Sequence, residues 1–123
     1  MDPMQTDFVS LRLTNFDNND LFGDLIITIE YKGFTIKHQL HIPTNGLQLF
    51  LEEVANKQTN TYIGDMYNSL SFDMSVKQLQ IKIYNSHIWL PKNLTDTILS
   101  LLKTVLNDWL SQNTNNDNYV LFI

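Results

Sequence analysis

"ITIEYKGFTIKHQLHIP", residues Ile27 to Pro43, decides the fold. Leu25, Ile27, Ile29 and Tyr31 alternate with Thr28, Glu30 and Lys32, and beyond Gly33 the alternation resumes through Phe34, Ile36, His38, Leu40 and Ile42. Apolar residues at every second position mark half-buried strands, because successive strand side chains point to opposite faces. Lys32-Gly33 between the two runs supplies a tight two-residue turn, the glycine taking a positive φ at little steric cost. Pro43 ends the second run, since it has no amide to continue a ladder. The stretch is a β-hairpin with a histidine on its apolar face.

That histidine raises the first chemical question, because His38 and His41 form an H-x-x-H pair. In a strand, residues three apart project to opposite faces with Cα atoms roughly 10 Å apart. Two ligands of one zinc must each approach the metal to about 2 Å, so this pair does not chelate one ion. A core histidine satisfied by one or two hydrogen bonds is the favoured reading for His38, with His41 facing solvent. His87 stands in a short turn or strand with no acid or nucleophile near it in sequence, and a structural role is favoured there too.

Working outward, Phe8 to Thr14 forms a first strand, with Val9, Leu11 and Leu13 on one side. Asn15 to Asp24, NFDNNDLFGD, is polar and acidic and reads as a loop. After Pro43 the period changes. Leu47, Phe50, Leu51 and Val54 follow the i, i+3, i+4, i+7 spacing of an amphipathic helix, with Glu52, Glu53 and Lys57 facing out and Thr44 or Asn45 as the cap. A polar stretch, QTNTYIGDMYN, reads as a connection. It leads to Leu70, Phe72 and Met74, then Leu79, Ile81 and Ile83, then His87 to Leu90: a meander of two or three strands. A long leucine-rich helix follows, capped by Asn93, with Leu94, Ile98, Leu101, Leu102, Val105 and Trp109 on one stripe. YVLFI at the end of the sequence is expected to dock as an edge strand. The order is βββαββ(β)α with a possible last strand. The fold class is α+β: an antiparallel sheet with two helices packed on one face, the tight connections leaving no room for parallel crossovers. Residues 1–123 form one domain, with 1–7 a flexible N-terminus and 111–118 a polar linker.

Composition narrows the function classes. The hydrophobic content of 43% and aromatic content of 11% suit a packed core. No apolar run approaches the roughly 20 residues of a membrane helix, and MDPMQTDFV lacks the basic and apolar regions of a signal peptide. With zero cysteines there is neither a disulfide framework nor thiolate chemistry. A cytoplasmic protein without a membrane partner is expected. The net charge of −5 argues against nucleic acid, whose phosphates demand clustered Lys and Arg. Phosphate-cradling and nucleophile-elbow motifs are absent among four glycines. Asp17 and Asn19 faintly suggest a calcium loop but lack its mid-loop glycine and final glutamate. No catalytic residue, cofactor or metal is expected.

The segments DLIITIEYKGFTIKHQLHI, NGLQLFLEEVANK, SLSFDMSVKQLQIKIYNS and LTDTILSLLKTVLNDWL, in that order, resemble the small cytoplasmic immunity proteins of bacterial polymorphic-toxin and contact-dependent growth-inhibition systems. The likeness spans Phe8 to Leu110 and rests on element order and apolar spacing. It implies a binding protein that neutralises a cognate protein toxin domain, often a nuclease, by covering an essential surface. The family supplies no catalytic residues to carry over. Two alternatives remain: an enzyme with an unrecognised site around His38 or His87, and a structural or phage-type accessory protein.

Interface energy concentrates in a few aromatic and charged anchors. Two connections offer that mixture. One carries Phe16, Asp17, Asp20, Phe22 and Asp24, the other Tyr62, Asp65 and Tyr67. The competing reading is that Phe16, Phe22 and Tyr62 plug the ends of the core. Glu30, Glu52 and Glu53 are further candidates on regular elements.

Overall fold

A computed structural model describes residues 6–14, 22–43, 45–56, 60–112 and 118–123, the side chains at 22, 108–112 and 118 excepted. The order is β1 (Phe8–Thr14), β2 (Phe22–Tyr31), β3 (Phe34–Pro43), α1 (Gly46–Asn56), β4 (Thr61–Gly64), β5 (Asn68–Asp73), β6 (Gln78–Ile83), β7 (Ser86–Trp89), α2 (Lys92–Gln112) and β8 (Asn118–Phe122). The chain is α+β, with every strand pair antiparallel.

The opening hairpin forms as its alternation requires. Tyr31 pairs with Phe34 across the turn, and Ile27 pairs with His38. Lys32 and Gly33 both take positive φ, 49° and 87°. That backbone matches the right-handed twist of the flanking strands. Asp7 supports the turn by accepting a hydrogen bond from the Lys32 amide at 3.1 Å, and its own carbonyl accepts from the Ile123 amide at 2.9 Å. Asp7, within the stretch read as a flexible N-terminus, is therefore tied to two distant segments.

The strands divide into two sheets where one sheet was expected. The first has the order β3-β2-β1-β8 and the second β4-β5-β6-β7. The extra strand of the second sheet is β4, inside the stretch read as a polar connection. There Thr61 and Ile63 are buried while Tyr62 points out, a four-residue alternation too short to register in sequence. The YVLFI segment docks as an edge strand, with Val9 facing Leu121 and Leu11 facing Tyr119.

Both sheets turn one face to a shared core. The first contributes Val9, Leu11, Leu25, Ile27, Ile29, Leu40 and Ile42, the second Ile63, Leu70, Phe72, Leu79 and Ile81. α2 closes the core with Leu94, Ile98, Leu101, Leu102 and Val105, all buried. At about 1.5–3 kcal/mol for each fully buried aliphatic side chain, this stripe holds the helix far more strongly than its intrinsic propensity. α2 begins earlier than the expected Asn93 cap: the Thr95 amide donates to the Pro91 carbonyl at 2.9 Å, so Lys92 is its first residue. Asn93 instead donates from Nδ2 to the Tyr31 hydroxyl. The helix runs to Gln112, two residues into the stretch read as linker. Thr95 is buried, and its Oγ1 accepts from the Leu79 amide at 2.9 Å while donating to the Leu90 carbonyl at 3.4 Å. This hydroxyl pins the start of α2 to the start of β6. Of the two expected α1 caps, Thr44 lies outside the described residues, and the Asn45 carbonyl accepts from the Leu49 amide at 3.2 Å.

Candidate functional site

The second sheet ends, beside β3, in two tight turns that display aromatics. Between β4 and β5, the Asp65 carboxylate accepts from the Tyr67 and Asn68 amides, both at 2.8 Å, while the Asp65 amide donates to the Asn68 carbonyl at 2.9 Å. An aspartate that satisfies the amides two and three residues on holds a turn shut. Those two amides also hold the Asp65 carboxyl below its usual range against the opposing effect of burial, with smaller help from the charges of His41 and His38. The turn between β6 and β7 sits alongside. The Tyr84 amide donates to the Tyr67 carbonyl at 2.6 Å, and the two rings pack at 5.7 Å between centroids with a tilt of 47°.

The result is an exposed aromatic and thioether surface on a rigid frame: Tyr62 is 67% exposed, Met66 71%, Tyr67 55% and Tyr84 65%. None of these four has a core duty. Tyr62 also stands in one cross-strand row with Ser71, Gln80 and Trp89, so the aromatics continue onto the outer face of the second sheet. Beside Tyr62 a cleft of about 370 Å³ lies against α1, bordered by Leu49 and Glu53. Tyr84 takes a φ of 53°, a left-handed conformation that bulky side chains seldom adopt.

The two histidines of β3 differ in setting, His38 at the seam between the sheets and His41 on the solvent side. His38 is buried, and its Nε2 donates to the Ser69 carbonyl of β5 at 3.3 Å, which fixes the proton on that nitrogen. Burial lowers its pKa below 6.5; the carbonyl and the Asp65 charge act in the opposite direction. His41 is on the solvent side, with Nδ1 at 3.2 Å from the Asp24 carboxylate. His87 Nδ1 lies 3.1 Å from Gln80 Oε1 on an exposed face. Among the described residues no group of three or more His, Cys, Asp or Glu is placed to hold a metal ion.

The residues singled out in sequence are placed as follows. Phe16, Asp17 and Asp20 lie outside the described residues. Phe22 opens β2 opposite Pro43, its side chain likewise outside them, and Asp24 is a strand residue opposite His41 rather than part of a loop. Tyr62 is also a strand residue, and its exposure disfavours the core-plug reading. Asp65 and Tyr67 share one turn, as their spacing implies. The two segments meet at His41, which Asp24 touches and whose charge acts on Asp65. Glu30 accepts from the Thr35 hydroxyl, and Glu52 from Gln48 on the exposed side of α1. Met66, Tyr84 and Leu49 were missed. For Tyr84 a signal existed: an aromatic where a two-residue turn normally has Asn, Asp or Gly.

The chain matches no protein-family model, no curated protein and no solved structure. Among the described residues no helix is long and apolar enough to cross a membrane.

Proposed function

We propose that this chain is an immunity-type inhibitor that binds a cognate protein toxin domain and neutralises it by occlusion, without catalysis of its own. The observation that supports this reading most is the Tyr62, Met66, Tyr67 and Tyr84 surface. Tyrosines offer large contact area at a small entropy cost, and exposed aromatics on a preformed frame match the anchors that dominate protein interfaces. The Asp65 turn and the Tyr67–Tyr84 contact order Tyr67 and Tyr84 before any partner arrives, which reduces the ordering penalty of binding. The net charge of −5 suits a basic partner such as a nuclease, where attraction mainly speeds encounter.

The test is rescue. Co-expressed with the toxin domain encoded beside its gene, the chain should restore growth, and failure to do so sinks the proposal. Tyr84→Asn separates binding from folding. Asparagine tolerates a φ of 53°, so the unfolding midpoint should hold or rise by up to ~1 kcal/mol in stability, while affinity for the toxin falls by about tenfold or more. Unchanged affinity would remove this turn from the interface.

A further inference from the structure

At the opposite end of the second sheet, a groove of about 350 Å³ opens between α1 and α2. Its apolar lining comes from Leu51, Val54, Ala55, Phe72 and Leu99, and three lysines border it: Lys77, Lys92 and Lys103. The chain has only eight Lys and Arg residues in all, against thirteen Asp and Glu. Gathering three of those eight around one apolar groove runs against the charge of the molecule. Asp96 is the one carboxylate in the lining. Among the described residues no carboxylate lies within 4.0 Å of any of the three ammonium groups. A second cleft continues the groove along α1 and α2 past Lys103, sharing Leu51 and Ala55 with it and adding Leu106 and Glu52.

The placement of these lysines is built in. Lys92 and Lys103 lie eleven residues, three helical turns, apart and therefore on one stripe of α2 with Asp96 and Leu99 between them. The Thr95 hydroxyl fixes that stripe against β6. Lys92 is the first residue of the helix, the end where the dipole disfavours a cation and favours an anion. Lys77 ends the β5–β6 turn, its amide donating to the Asp73 carbonyl at 2.8 Å, and holds a φ of 56° that glycine or asparagine would adopt more readily. A lysine is thus kept where the backbone prefers another residue.

We infer that the groove between α1 and α2 is a binding site for an amphiphilic anion, a carboxylate or phosphate head carrying a single apolar chain. The head sits at the Lys77 and Lys92 end of the groove, where the start of β6 meets the start of α2, and the chain lies along Leu51, Val54, Ala55 and Leu99 towards Lys103. The volume falls within the range of small-molecule pockets. The site stands apart from the aromatic surface: β5 and β6 run, over roughly 17–20 Å, between the Tyr67 and Tyr84 turns and the Lys77 turn. It does not depend on the immunity reading.

The experiment is titration of the full chain with decanoate, decyl phosphate, decanol and decyltrimethylammonium, all below their micellar concentrations. Heat of binding and methyl chemical shifts provide the readout. At least one of the two anions should bind at one per chain and shift the Val54 and Leu99 methyls while leaving Leu11 and Ile27 in place. Preference between the anions distinguishes a carboxylate from a phosphate source. Lys77→Gly keeps the backbone at ease and should weaken binding about tenfold without lowering the unfolding midpoint. The double variant Lys92→Gln, Lys103→Gln should weaken it further. Decanol binding as tightly as decanoate and decyl phosphate, absence of binding by both anions, or unchanged affinity in Lys77→Gly overturns the inference.

Discussion

Gly64, the last residue of β4, is the position at which the display of Tyr67 can be broken with one methyl group. Its φ is +122°, outside the regions that residues with a Cβ occupy readily. A Cβ there would lie 2.8 Å from the Ser69 Cα and closer still to the Asn68 carbonyl oxygen, both backbone atoms of the paired strand. That oxygen is the acceptor for the Asp65 amide, so moving it aside breaks the hydrogen bond that closes the turn. The strained backbone costs about 1–3 kcal/mol and the lost bond about 1 kcal/mol, giving roughly 2–4 kcal/mol for Gly64→Ala. Against a typical stability of about 5–15 kcal/mol, this lowers the urea midpoint by about 1–2 M. Gly46→Ala is the matched control. It opens α1, its added Cβ meets only the Pro43 ring at 3.1 Å, and the helix gains up to about 1 kcal/mol in propensity. The assay is equilibrium urea unfolding of both variants beside the parent, with toxin affinity measured on the folded fraction. A Gly64→Ala midpoint within error of the parent, or below-parent stability equal in both variants, would refute the turn geometry.

Two further predictions concern titration. His38 has a folded-state pKa below 6.5, so the unfolded chain takes up a proton first as pH falls. Stability is then complete above pH 6.5 and declines from there towards the depressed folded value. Urea midpoints at pH 7.5, 6.5 and 5.5 should fall in that order, and His38→Gln should flatten the trend, lose about 1 kcal/mol at pH 7.5 and leave toxin affinity intact; an unchanged slope would place the pH dependence elsewhere. Asp65 has its folded pKa held below 3.8, so its contribution is present above pH 3.8 and is lost as pH falls through the folded value. Asp65→Asn keeps an oxygen for the Tyr67 and Asn68 amides, so its midpoint should depend less on pH below 3.8 than the parent's, the similar behaviour of Asp73 cancelling in the comparison.

The local half of the fold was legible because local rules decide it. Alternation placed His38 beside Leu40 on the buried face, Lys32-Gly33 named the hairpin turn, and the leucine spacing of α2 named its buried stripe. Partner choice was not legible. Nothing in YVLFI says that it pairs with Val9 and Leu11 across more than a hundred residues, and nothing in Thr61 to Gly64 says that the meander forms a sheet of its own. Those choices follow from which apolar faces can be buried together, a property of the assembled core. The same limit applied to the site. Asp65 and Tyr67 could be read from one short segment, whereas Tyr84 joins them through a contact between two turns, and Lys77 comes to line one groove with Lys92 and Lys103 only when α2 lies along the sheet.

Backbone strain ties these observations together. Three described residues other than glycine take a positive φ, Lys32, Lys77 and Tyr84, and each ends or begins a hairpin turn. At Lys32 the residue starts the turn that joins β2 to β3, its amide is held by Asp7, and its ammonium lies 5.3 Å from the centre of the Tyr31 ring. At Lys77 and Tyr84 a hairpin would close more easily with glycine or asparagine, because a Cβ in the left-handed region costs about 1–2 kcal/mol. Neither side chain offsets that cost by burial, for both are exposed. A strained backbone under an exposed side chain lowers stability whatever that side chain does, so glycine is expected to be the more stable residue at either position. The two positions lie at opposite ends of β6, one in the aromatic surface and one beside the lysine groove. Substituting each with glycine in turn should therefore stabilise the chain in both cases while impairing a different binding event in each.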